Sequence, residues 1–153
     1  MSSPVVGSIA PPFTTRNQYG QEVTLAQLRG APVVVVFYPW AFSGICTSEL
    51  GALRDDLDQF DAVGARVVAI SCDAMFSLRI FAEQENLGFD LLTDHWPHGA
   101  IAQSYGVFNE EAGCALRGTF VLNADGVVTW TLVNQIGEAR EIARFLDGFI
   151  PAT

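Results

Sequence analysis

Val33-Val34-Val35-Val36-Phe37-Tyr38-Pro39-Trp40-Ala41-Phe42-Ser43-Gly44-Ile45-Cys46 is the stretch from which the architecture unfolds. Its first six residues are an unbroken β-branched and aromatic run, the pattern of a strand buried on both faces. Pro39 lacks an N–H for the ladder and ends the strand. A loop over residues 40–45 follows. From Cys46 the pattern turns helical: Leu50, Leu53, Leu57 and Phe60 recur three or four apart, with charged residues between them.

Outward from there the same alternation continues. Residues 66–71 (Arg-Val-Val-Ala-Ile-Ser) predict a second buried strand. Residues 74–86 predict a helix with Leu78, Phe81 and Ala82 on one face and Gly88 as its stop. Residues 90–92 predict a short strand, and 99–105 a short helix ending at Gly106. Residues 119–122 and 127–132 flank Asn123-Ala124-Asp125-Gly126, a hairpin with a turn sequence at its centre. Residues 137–149 predict a last helix, with Ile142, Phe145, Leu146 and Phe149 on one face. Upstream, 22–25 alternates as a short strand does, and 25–28 fits one helical turn closed by Gly30. Strand, helix, strand, helix implies parallel strands with right-handed crossovers, and the hairpin adds antiparallel ones. The expected class is α/β: a thioredoxin-like fold with a mixed central sheet covered by helices, one domain over residues 1–153.

Composition narrows the function. Half of the 153 residues are apolar, enough for one core. The formal charge is −9, and all eight basic residues are arginine. Eight scattered arginines against seventeen acids do not make the basic face that nucleic acid or an anionic membrane requires. No apolar run approaches the ~20 residues of a membrane span. The first ten residues lack a basic start followed by an apolar segment, so the cytoplasm is the expected compartment. There a resting thiol stays reduced, and the three widely spaced cysteines, Cys46, Cys72 and Cys114, do not form a disulfide framework.

Cys46 stands where a buried strand has ended and a helix begins. Reaction sites in α/β proteins collect at the carboxyl ends of strands. The first turn of a helix has unpaired N–H groups and partial positive charge, which favour a thiolate, the nucleophilic form. Pro39 lies seven residues before the cysteine and Ser43 three before it. Pro39 shields the sulfur from water, and the Ser43 hydroxyl can bond both the sulfur and an approaching oxygen. The segment from Pro39 to Cys46 resembles the peroxiredoxin motif, Pro-x-x-x-(Thr or Ser)-x-x-Cys. Arg117-Gly118-Thr119-Phe120-Val121-Leu122 resembles the strand that begins with that family's active-site arginine, and Glu49 resembles the acid that orients it. The opening Pro11-Pro12-Phe13-Thr14 agrees. Asp94-His95-Trp96-Pro97-His98-Gly99-Ala100 and Tyr105-Gly106-Val107-Phe108-Asn109-Glu110 look like the alkyl hydroperoxide reductase E type of one-cysteine peroxiredoxin in particular.

The resemblance implies a thiol-dependent peroxidase with an antioxidant role. Cys46 would attack hydrogen peroxide or an organic hydroperoxide, with Ser43, the Cys46 N–H and Arg117 holding the oxygens and Pro39 shielding the sulfur. A sulfenic acid would result, and no metal or organic cofactor is needed. The reductant would be an external thiol: mycoredoxin, mycothiol or a thioredoxin-like protein. Cys72 and Cys114 are the two internal resolving candidates, each more simply read as a buried thiol. Trp40, Ala41 and Phe42 form an apolar loop expected to line the hydroperoxide pocket or a subunit interface, and a homodimer or higher homo-oligomer is the family's habit. His95 and His98, three apart around Pro97, lack the cysteine pair that a zinc site wants, and read as packed surface or subunit contact. A disulfide oxidoreductase would need a second cysteine three residues from Cys46, where Ser43 and Glu49 stand instead. The remaining alternative is a redox-sensing or chaperone-like binding protein on the same fold.

Overall fold

Two short antiparallel strands, β1 (Thr14–Arg16) and β2 (Glu22–Thr24), lead into the valine run, which forms β3 (Val33–Phe37) with every residue buried. The computed structural model describes residues 2–149. After β3 come α1 (Gly44–Asp55) and α2 (Leu57–Ala62), then β4 (Arg66–Ser71), α3 (Met75–Glu85) and β5 (Asp90–Thr93). A short helix α4 (Ala100–Ser104) and a two-stranded ribbon, β6 (Phe108–Asn109) and β7 (Cys114–Ala115), precede the hairpin of β8 (Arg117–Leu122) and β9 (Val128–Asn134). A 3-10 helix, Ile142–Phe149, follows. The main sheet runs β5-β4-β3-β8-β9. The crossovers make β3, β4 and β5 parallel, and the hairpin joins antiparallel through β8.

Period-two alternation sorts the central strand between two cores. Val34, Val36 and Tyr38 face one side, with Cys46, Leu50, Leu53, Phe60 and Phe81. Val33, Val35 and Phe37 face the other, with Tyr105 and Phe120. The sheet therefore sets Cys46 on the Tyr38 side, beyond the carboxyl end of β3.

Four local expectations are corrected. The first helix starts at Gly44, with Ser43 as N-cap, so Cys46 lies inside the first turn rather than at its start. The apolar stripe that follows belongs to two helices, because Asp56 leaves helical geometry between Leu53 and Leu57; aspartate competes with the helix for local hydrogen bonds. The helix α3 ends at Asn86, whose φ of 54° forms a left-handed cap, so Gly88 is not its stop. Residues 137–141 are not helical. The Arg140 N–H is taken by a side chain of α1, Glu49, instead of a helical carbonyl.

Candidate active site

The site grows from the first turn of α1. Thr47 N–H donates to the Ser43 carbonyl at 2.8 Å, the first bond of the helix. The N–H groups of Gly44, Ile45 and Cys46 thus have no partner within the helix, and they leave partial positive charge at the sulfur's own turn. Cys46 and Glu49 are one turn apart and share a face. Both are buried.

Arg117, the first residue of β8, reaches that face. Its Nη1 donates to Cys46 Sγ at 3.3 Å and to Glu49 Oε1 at 2.6 Å. Its Nε donates to the Ile136 carbonyl at 2.7 Å, which fixes the guanidinium plane. The structure thus brings Cys46, Glu49 and Arg117 together, across 71 residues of sequence between the cysteine and the arginine.

Sequence reasoning missed Arg140. It is buried, and it grips Glu49 from the other side. Its Nη2 donates to Oε1 at 3.0 Å and its Nε to Oε2 at 3.0 Å, while its backbone N–H donates to Oε2 at 2.7 Å. Its Nη1 bonds the Gly118 carbonyl and Thr119 Oγ1. The helical reading of residues 137–149 hid it. The available signal was scarcity: a chain with eight basic residues has few to spend near an apolar segment. Burial alone would push the Glu49 carboxyl up. The bonds and charge of Arg140, with the charge of Arg117, outweigh burial and hold the group below the ordinary glutamate range.

The neighbours divide. Pro39 is buried. Ser43 Oγ is buried and makes no hydrogen bond among the described residues, so it is not bonded to the sulfur. Tyr38 is fully buried, and burial pushes its phenol far up. Its hydroxyl likewise has no partner among the described residues. Trp40 and Phe42 are exposed, while Ala41 is buried. A cavity of about 330 Å³ borders Glu49 and Arg140, but its walls are Gly44, Ile45, Ser48 and Ala139, not Trp40, Ala41 or Phe42.

The other two cysteines are buried as Cys46 is, but neither accepts a hydrogen bond from an arginine among the described residues. Cys72 is buried, and burial, with the Asp94 carboxylate nearby, pushes its thiol up to about 12. Burial also raises the Cys114 thiol, and Cys46 close by adds to the effect. At neutral pH both are protonated thiols, the unreactive form. The histidines serve backbone: His98 Nε2 lies 2.7 Å from the Gly113 carbonyl and His95 Nδ1 3.4 Å from that of Cys72. Trp96 between them is exposed. No helix among the described residues is long and apolar enough to cross a membrane.

Comparison with known proteins shows the family and the fold. The AhpC/TSA family model matches residues 6–131. The chain is 46% identical over 149 residues to alkyl hydroperoxide reductase E of Mycobacterium tuberculosis, spanning 97% of both proteins. It is 38% identical over 137 residues to chloroplastic peroxiredoxin Q of Sedum lineare, covering 89% of this chain and 73% of that protein. Its fold matches the crystal structure of peroxidoxin BcpB from Mycobacterium tuberculosis with a TM-score of 0.83 at 28% identity, over 95% of this chain and 94% of that one. Family and fold together define a thiol-dependent peroxidase on a thioredoxin-like scaffold. The chain belongs to the AhpC/TSA family of peroxiredoxins, and its resemblance to the alkyl hydroperoxide reductase E type holds.

Proposed function

We propose that Cys46 is the peroxidatic thiolate and that it reduces hydrogen peroxide and organic hydroperoxides, to be regenerated by an external thiol. The charge count of the site carries this reading. Two buried guanidinium groups meet one carboxylate, which leaves one positive charge uncompensated. A thiolate 3.3 Å from Arg117 Nη1 is the group placed to balance it.

The chemistry follows. The sulfur attacks the terminal oxygen of the hydroperoxide; an S–O bond forms as the O–O bond breaks. Sulfur loses two electrons and the peroxide gains them. The proton of the attacked hydroxyl stays on the new sulfenic acid, and the departing oxygen leaves as water or alcohol after taking a proton from solvent. Arg117, the N–H of Cys46 and the Ser43 hydroxyl, which has no partner among the described residues, are the donors for the charge that develops on the oxygens. Pro39 limits water at the sulfur, and Glu49 orients Arg117. In this scheme the reductant comes from outside, and the burial that raises the Cys72 and Cys114 thiols fits it. Condensation of its thiol with the sulfenic acid gives a mixed disulfide and water, and a second thiol releases Cys46.

Turnover tests this. Peroxide consumption beyond one equivalent is expected with mycothiol plus mycoredoxin, or with a thioredoxin system, and not without a thiol. No consumption above the uncatalysed rate with any of them would overturn the proposal.

The three free thiols fit a reducing compartment such as the cytoplasm. The surface favours a homodimer. Phe42 in the loop before α1 and, one turn apart on α3, Phe76 and Ile80 are exposed apolar side chains that a second copy would cover. Sedimentation should find two copies, and a monomer at working concentration would refute this.

A further inference from the structure

The loop from β3 to α1 holds a conformation that its own residues do not favour. Phe42 has a φ of 70°, in the left-handed region where a bulky side chain is strained. Contacts on either side keep it there. The Ala41 N–H donates to Asp73 Oδ2 at 2.8 Å, and the Phe42 ring packs on Phe81 with centroids 5.1 Å apart. Asp73 is itself anchored. Ser71 Oγ donates to the same carboxylate oxygen at 2.7 Å, and Thr93 Oγ1 donates to the Asp73 carbonyl at 2.6 Å. Ser71 closes β4 and Thr93 closes β5, so the end of one strand holds the Asp73 carboxylate and the end of the other holds its backbone. The residue after Phe42 is Ser43, whose buried hydroxyl has no partner among the described residues.

We infer that Asp73 is a positioning residue for the peroxide step. Its carboxylate fixes the backbone at Ala41 and Phe42, and this keeps the Ser43 hydroxyl turned to the space where the hydroperoxide oxygen arrives. Asp73 acts through the loop and not on the sulfur. The inference rests on the peroxidase reading of Cys46. The role needs an acceptor oxygen rather than a charge, so asparagine at the same place serves it.

Two rates on Cys46 separate positioning from thiolate supply. Oxidation by hydrogen peroxide needs the oxygen-binding groups in place, whereas alkylation by iodoacetamide needs only a reachable thiolate. Both are measured in wild type, Asp73→Ala, Asp73→Asn and Ser71→Ala, each checked for folding by circular dichroism. Asp73→Ala should oxidise roughly 10- to 100-fold more slowly, with alkylation unchanged or faster. Asp73→Asn should recover most of the oxidation rate. Ser71→Ala, which removes one of the two donors to the carboxylate, should give the same split at smaller amplitude, and it carries the test if Asp73→Ala does not fold. Unchanged oxidation in the folded variants, or oxidation and alkylation falling together, would overturn the inference, as would Asp73→Asn behaving like alanine. A wild type that alkylates at Cys46 but does not react with peroxide would instead remove the peroxidase reading itself.

Discussion

Replacing Arg117 with methionine should slow the oxidation of Cys46 by hydrogen peroxide by about 100- to 1,000-fold, the usual loss when a preorganised donor at a developing charge is removed. Methionine keeps much of the volume but has neither donor nor charge. The Nη1 that bonds the sulfur also bonds Glu49, while Nε is tied to the Ile136 carbonyl. One rigid fork therefore meets three partners. Arg117→Lys should recover only a small part of the rate, because an ammonium on a flexible stem cannot reproduce that fork. Stability should fall less than activity, since Glu49 keeps its bonds to Arg140. Stopped-flow oxidation beside a thermal melt reads both quantities. A methionine variant within a few-fold of the wild-type rate would show that the arginine is structural.

Glu49→Gln should give the larger loss of stability. The carboxylate accepts from both arginines and from the Arg140 backbone, and all three side chains are almost wholly buried. A neutral amide leaves two buried guanidinium groups facing each other without their counter-ion. Breaking a buried pair this way costs roughly 3–5 kcal/mol, or on the order of 10 °C in Tm for a chain of this size. The pH dependence has a definite sign. Glu49 is held below its ordinary value in the folded state. Its contribution is fully present above the unfolded-state value of about 4.3 and is lost as the pH falls through the lower folded value. The Tm gap between wild type and Glu49→Gln should therefore be widest near neutrality and narrow on acidification. A gap that stayed constant to acid pH would contradict the buried-carboxylate account.

Much of this was legible in the chain because it was local. The run from Val33 to Cys46 fixes strand, break, loop and helix within one stretch, and each step has its own chemistry: β-branching, a missing N–H, helical spacing. The parallel strands and the hairpin followed from alternation and turn residues. Cys46, Ser43 and Pro39 could be picked out together because they share that stretch, and Arg117 because its strand carries a motif. Local pattern failed where tertiary contacts decide. Apolar spacing made residues 137–149 look helical, yet a single carboxylate on α1 draws the Arg140 N–H out of any helix and with it the residues before Ile142. Asn86 ended α3 before Gly88 because asparagine tolerates the left-handed cap. Trp40, Ala41 and Phe42 read as one apolar lining. Alternate exposure splits them, since the Asp73 tie turns Ala41 inward and leaves its neighbours at the surface. That tie joins residues 32 apart, a distance no spacing rule spans.

The central claim is that Cys46 alone carries the peroxide chemistry, and the intact mass of the reduced protein after one equivalent of hydrogen peroxide tests it most directly, with Cys46→Ser alongside. The account predicts the gain of one oxygen in the wild type and no rapid change in the variant. Loss of two hydrogens in the wild type would contradict the external-thiol scheme and make Cys72 or Cys114 a resolving partner, and no rapid change in either protein would contradict the assignment of Cys46 altogether.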